Sequence, residues 1–145
     1  MKNSKREEVI SHSATKIFNI VIDIESYPKY IPWCTKMVIN QRKKNEIFAD
    51  MYVKYKFILT QKFGSHVKFD KNNLTIETSY IEGPLKNLIT KWKFEEIDKK
   101  NSKIFFDVNF EFNSYLHQKI AETFYPLIEN KMIDSFRKRA DDILN

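Results

Sequence analysis

From residue 35 to residue 112 the chain alternates apolar and polar side chains with a period of two, segment after segment, and then closes on one long stretch of helical period. That order constrains the fold more than any other feature. The cleanest segment puts Ile104, Phe106, Val108, Phe110 and Phe112 on one face and Phe105, Asp107, Asn109 and Glu111 on the other. Earlier, Ile47, Ala49, Met51, Val53, Tyr55 and Phe57 alternate with Asp50, Tyr52, Lys54 and Lys56. Further strands are expected over 35–40, over the run holding Leu59, Phe63, Val67 and Phe69, over LTIETSYI, and through Trp92 and Phe94. QRKKN, DKNN, Gly83-Pro84 and DKKNSK have turn composition and separate these runs. About six consecutive antiparallel strands with one apolar face must bury that face, and the closing helix is the element long enough to cover it.

Before the sheet, REEVISH at 6–12 reads as a first strand, Ser13 as a helix cap, and Ile17, Phe18, Val21 and Ile22 as the apolar stripe of a short helix. The helix should stop before YPKYIPWC, residues 27–34, where two of the chain's 4 prolines sit among aromatics beside its single cysteine. Each proline fixes φ and removes a donor, so this segment is a rigid, apolar turn. The closing helix, with Ser114 as its cap, carries one stripe of Leu116, Ile120 and Phe124 and a second of Met132, Phe136 and Ile143, with Ile133 and Ala140 beside it. The stripes point roughly a third of a turn apart, which predicts a kink or restart at Pro126.

At 145 residues, 42% of them hydrophobic, the chain is read as one domain over 1–145, with a single core and no apolar run of the length needed to cross a bilayer. MKNSKREE lacks the features of a signal or transit peptide, so a cytoplasmic home is expected. One cysteine, Cys34, forms no internal disulfide, and two glycines, Gly64 and Gly83, exclude phosphate-cradling glycine loops and a nucleophile elbow. The net charge of +6 suits an anionic partner, but the lysines are scattered, with dense runs only at Arg42-Lys43-Lys44 and Arg137-Lys138-Arg139.

Catalytic groupings are weakly represented. His12, His66 and His117 fall in separate elements without metal-binding spacing, and Ser65 and His66 point to opposite faces of a strand. Asp107 and Glu111 share a wet face and read as a solvated ladder. Neither a catalytic residue, a metal site nor a cofactor is expected. The apolar and aromatic residues are more informative: Tyr27, Pro28, Pro32 and Trp33 in the rigid turn, Met51, Phe63 and Trp92 on strands, and Phe124, Met132 and Phe136 on the helix. Together they would suit the lining of a pocket for an apolar molecule, and singly each suits a filled core.

Along almost its whole length the chain resembles the START-like, helix-grip family that contains the coenzyme Q-binding proteins and the bacterial ribosome-association toxin. The resemblance rests on SHSATKIFNIVIDIESYPKYIPWC, IFADMYVKYK, FGSHV, EGPLKNL followed by WKFEEI, FEFNS and MIDSFRKRA, in that order. Tyr30 and Leu85 depart from it where Phe is common, and Gly64-Ser65-His66 departs where Thr-Ser-Arg is common. The resemblance implies an α+β fold in which a curved antiparallel sheet of six to seven strands grips a long C-terminal helix, with short helices after the first strand. It also implies a hydrophobic tunnel, with Pro28, Pro32 and Trp33 near its entrance and Phe124, Met132 and Phe136 in its wall. The function implied is non-catalytic binding of ubiquinone or a related isoprenoid lipid in support of respiratory electron transport, with transient contact at the inner membrane. The alternative is binding to the large ribosomal subunit that blocks subunit association; a cyclase activity ranks last.

Overall fold

A computed structural model describes residues 2–55, 59–83 and 85–144. Lys56, Phe57 and Pro84 lie outside the described residues, as do the side chains of Tyr55 and Leu59. The elements run β1 (Lys2–Ile10), α1 (Ala14–Ile22), a 3-10 helix (Ile24–Lys29), β2 (Cys34–Lys43), β3 (Glu46–Tyr55), β4 (Leu59–Asp70), β5 (Thr75–Glu82), β6 (Leu85–Asp98), β7 (Asn101–Phe112) and α2 (Tyr115–Leu144). The strands form one antiparallel sheet in the order β1-β7-β6-β5-β4-β3-β2, which bends around α2 as the START-like fold requires. Register shifts at Cys34/Lys36, Ile39/Gln41, Gly64/Ser65, Leu85/Asn87 and Glu96/Asp98 interrupt the ladders, and such bulges bend and twist strands.

Several boundaries differ from the sequence expectation. β1 begins at Lys2 because β7 offers its backbone from Lys2↔Phe110 to Ile10↔Ser102, a partner that no local pattern announces. The hairpins at Lys44-Asn45 and Lys99-Lys100 are tighter than their polar runs suggested, because ladder pairing persists through polar residues that project into water. At the β5–β6 turn Gly83 has φ +143°, and a Cβ there would lie 2.8 Å from the Lys62 carbonyl oxygen, so glycine is required.

Ser13 caps α1, its Oγ accepting from the Lys16 N–H at 3.4 Å. The 3-10 helix follows directly and absorbs Tyr27 and Pro28. The turn is then closed by the N–H groups of Tyr30 and Ile31, which both donate to the Tyr27 carbonyl at 3.1 and 2.9 Å, and it is tied to β3 by Lys54 N–H donating to the Trp33 carbonyl at 2.9 Å. Cys34 is buried in this turn, and burial pushes its thiol up to about 11. Alkylation by iodoacetamide at pH 8 is expected to be at least about tenfold slower in the folded chain than in urea, because the thiolate is the nucleophile. Equal rates would contradict a closed turn.

The long helix corrects two expectations. It runs through Pro126 unbroken. Pro126 is on the exposed side, where water can satisfy the carbonyl that a proline frees. Its inward face is a single stripe of Gln118, Ala121, Tyr125, Glu129, Ile133, Phe136 and Ala140, while Leu116 and Ile143 are 65% and 49% exposed. Two polar members hid that stripe, and each is satisfied by the sheet. Gln118 Oε1 accepts from the Phe112 N–H at 2.7 Å, and buried Glu129 accepts from Ser4 Oγ at 3.3 Å with Arg6 3.9 Å away. Next to it, burial opposes the Glu8 charge, but hydrogen bonds from Arg6 and Arg137 outweigh that and lower its pKa, pinning β1 to α2.

Candidate ligand cavity

Packing between sheet and helix divides at about the middle of α2. In the half toward its C-terminus the space is filled. Phe136 meets Tyr27, Tyr30 and Trp92 with ring centroids 5.4, 5.8 and 5.6 Å apart, and Trp92 continues into Phe94 and Phe106 at 5.8 and 4.3 Å. Such edge and offset contacts are favourable beyond the area they bury. Burial raises the pKa of both tyrosines, more than offsetting the Arg139 guanidinium 5.1 Å above the Tyr30 ring, and Tyr27 Oη donates to the Val21 carbonyl.

In the other half the inward side chains do not meet. They leave a cavity of about 270 Å³ lined by Trp33, Met51, Val53, Gln61, Phe63, Leu85, Leu88, Val108, Phe110, Phe112, His117, Ile120, Ala121, Phe124, Tyr125 and Ile128. Gln61 and His117 are exposed and mark its solvent side, between the strand ends and the start of α2. The lining is apolar with few polar groups, the arrangement that ligand pockets favour. One of those groups is unusual: the Tyr125 hydroxyl is buried beside the Glu129 carboxylate. Burial, then the neighbouring Glu129 carboxylate, raises its pKa, so it stays a neutral phenol.

Of the residues named from sequence, Trp33, Met51, Phe63 and Phe124 come together on this cavity. Tyr27, Trp92 and Phe136 lie in the filled half, where their rings pack on one another. Pro28 is held in the 3-10 helix, Pro32 is exposed, and Met132 is half-buried against the core, and none of these three lines the cavity. The proline-braced turn thus reaches the cavity through Trp33, while the opening lies at the start of α2. Leu85, Leu88, Phe110, Phe112, Ala121, Tyr125 and Ile128 were not singled out. A sequence signal for them is faint: Ala121 faces the sheet where Phe136 does so further along the helix.

The outer face of the sheet carries a larger hollow, about 770 Å³, but its walls are charged. Across the strands Lys5, Asp107, Lys91, Glu77 and Lys68 stand in register with alternating sign, a solvated ladder in which each charge has an opposite neighbour. Among the described residues no group of His, Cys, Asp and Glu could hold a metal ion, and no helix is long and apolar enough to cross a membrane.

A family model described as polyketide cyclase / dehydrase and lipid transport matches residues 10–137. The chain belongs to that family. The chain is 27% identical over 147 residues to the ribosome association toxin RatA of Rickettsia prowazekii, covering 99% of both chains. It is also 29% identical over 143 residues to the mitochondrial coenzyme Q-binding protein COQ10 of Drosophila melanogaster, covering 93% of this chain and 58% of the fly protein. Among solved structures, a START superfamily protein from Mycobacterium smegmatis superposes with a TM-score of 0.86 at 14% identity, covering 97% of this chain and 98% of that one. The Zhui aromatase/cyclase from Streptomyces sp. R1128 does so with a TM-score of 0.91 at 11% identity, covering 99% and 96%. At those identities the two structures share the fold alone.

Proposed function

We propose that the chain binds an isoprenoid quinone such as ubiquinone in this cavity and carries or shields it without transforming it. The open, apolar space under the first half of α2 carries the reading. At about 270 Å³ it lies at the small end of ligand pockets, so it would hold the ring or a short stretch of tail while the rest leaves through the mouth. Beside that mouth Tyr115 and Leu116 are 78% and 65% exposed, apolar surface suited to brief contact with a membrane while ligand enters. Among the described residues the cavity wall holds no Asp or Glu, and His117 and Tyr125 are not hydrogen-bonded to each other, which favours binding over acid–base chemistry.

Ubiquinone titration tests this directly. Trp33 lines the cavity and Trp92 does not, so quenching should persist in Trp92→Phe and vanish in Trp33→Phe. Quenching that follows Trp92, or none at all, would sink the proposal.

A second reading, binding to the large ribosomal subunit, is favoured by a specific feature of the surface. On β6 and β7, Lys86, Lys93 and Lys103 pair with Glu111, Glu95 and Glu7, whereas Lys36, Lys43, Lys54 and Lys62 on β2–β4 make no ion pair among the described residues. Cosedimentation with ribosomes that survives about 0.15 M salt would support it, and loss at that ionic strength would reduce it to non-specific attraction.

A further inference from the structure

The outward face of β2, β3 and β4 joins those lysines to half-buried ring systems. Phe48 and Tyr52 sit four residues apart on β3, on the same side of the sheet and about 13 Å apart along the strand. The Phe48 ring stacks on the imidazole of His66 from the neighbouring strand, centroids 4.3 Å apart and planes inclined by 5°. The Lys43 ammonium lies 5.6 Å from the Phe48 ring centroid, and that of Lys36 lies 5.4 Å from the Tyr52 centroid. Lys54 and Lys62 extend the same face. Of the carboxylates on β3 within this face, Glu46 Oε1 is 2.8 Å from His66 Nε2 and Asp50 Oδ2 accepts from Asn40 Nδ2 at 3.1 Å, while the Glu82 side chain of β5 reaches over Gly64 at its border.

We infer that this face is a docking platform for single-stranded RNA, with bases stacked on Phe48 and Tyr52 and phosphates held by Lys36, Lys43, Lys54 and Lys62. The choice of RNA rests on the ribosome reading above; the surface and the mode of contact are additional to it. Rings rising from a sheet between unpaired lysines offer both halves of what an unpaired strand needs, π-faces for its bases and cations for its backbone. An exposed lysine ammonium resting beside a half-buried ring is held weakly. A base can therefore displace Lys36 or Lys43, and the freed cation then meets the adjoining phosphate. A duplex would find the cations but not the rings, because its bases are already stacked on one another. An acidic polypeptide would likewise gain nothing from Phe48 or Tyr52. The other half of the outer face offers no equivalent: the Lys103 ammonium lies 5.3 Å from the Phe105 centroid but is paired to Glu7 at 3.1 Å, and Asn3 donates to Asp107 at 2.9 Å.

Fluorescence anisotropy of a short labelled oligouridine, titrated with the full chain at about 0.1 M salt, tests the platform. The single strand should bind at least about tenfold more tightly than a hairpin duplex of similar charge, and Phe48→Leu and Tyr52→Leu should each weaken it about fivefold or more. Leucine keeps the apolar bulk, so thermal melts that match the native chain separate lost stacking from lost folding. Lys36→Gln and Lys43→Gln should each reduce the salt slope by about 0.7. Equal binding to strand and hairpin, native affinity in both leucine variants, or competition by polyglutamate as strong as by RNA would each overturn it. Leucine variants that lose no affinity for ribosomes would sink the platform and spare the ribosome reading. Aromatic-dependent oligouridine binding without ribosome cosedimentation would do the reverse.

Discussion

Phe136→Ala should lose about 3–5 kcal/mol of folding stability, a large share of what holds the domain together. Phe136 is 3% exposed and contacts three rings from two other places in the chain, Tyr27 and Tyr30 in the turn after α1 and Trp92 on β6. Truncation removes the transfer energy of the ring and leaves a hole that these neighbours cannot collapse into, since the turn holds Tyr27 and Tyr30 and the sheet holds Trp92. A domain of this size has a total stability of about 5–15 kcal/mol, so the variant would sit near the threshold of unfolding at room temperature. Urea titration followed by circular dichroism measures the loss directly, and the thermal midpoint should fall by about 10 °C or more. A loss below about 1 kcal/mol would show that the aromatic cluster is not what fastens α2 to the turn. The same substitution should leave the cavity lining intact, because Phe136 contributes nothing to it.

Ala121→Phe should abolish quinone uptake while leaving the fold in place. Ala121 is on the inward side of α2 and its methyl borders the empty half of the sheet–helix interface. A phenyl ring there enters existing space instead of displacing packed atoms, so the usual overpacking penalty of about 1–3 kcal/mol does not apply, and buried apolar area offsets the helix-propensity cost of about 0.7 kcal/mol or less. Affinity for ubiquinone, read from Trp33 fluorescence and confirmed by mass spectrometry of copurifying lipid, should drop by about a hundredfold or more, since the ring occupies the volume the ligand needs. Thermal midpoints should change little. Retained binding in a folded Ala121→Phe chain would mean that the ligand sits somewhere else, and the carrier reading would go with it.

These two residues also mark where sequence reasoning succeeded and where it stopped. Alternation along Ile104 to Phe112 identified β7 and its inward face, and each inward residue from Ile104 to Phe110 is buried. The period-two signal is strong there because one face of the strand meets only apolar neighbours and the other meets water. The stripe on α2 was misread for the opposite reason. Gln118 and Glu129 point inward to hydrogen-bond with Phe112 and Ser4, partners that no local window contains, so the apolar pattern seemed to break at a place where the helix is continuous.

The site was half legible. Trp33, Met51, Phe63 and Phe124 were chosen as inward aromatic or soft apolar residues, and they do meet on the cavity; Tyr27, Trp92 and Phe136 were chosen by the same reasoning and meet one another instead. Composition cannot separate these groups, because a wall residue and a core residue have the same apolar character and the same periodicity.

The amino-acid sequence alone determined the order of the elements and the inward faces of β3 and β7, which follow from local alternation of water-seeking and water-avoiding groups, and its motifs carried the family. The tertiary structure decided the pairing of β1 with β7, the true inward stripe of α2 and which end of the interface stays open. Those depend on contacts between residues far apart in the chain, such as Ser4 with Glu129, and on volumes summed over elements that no single stretch of chain encodes.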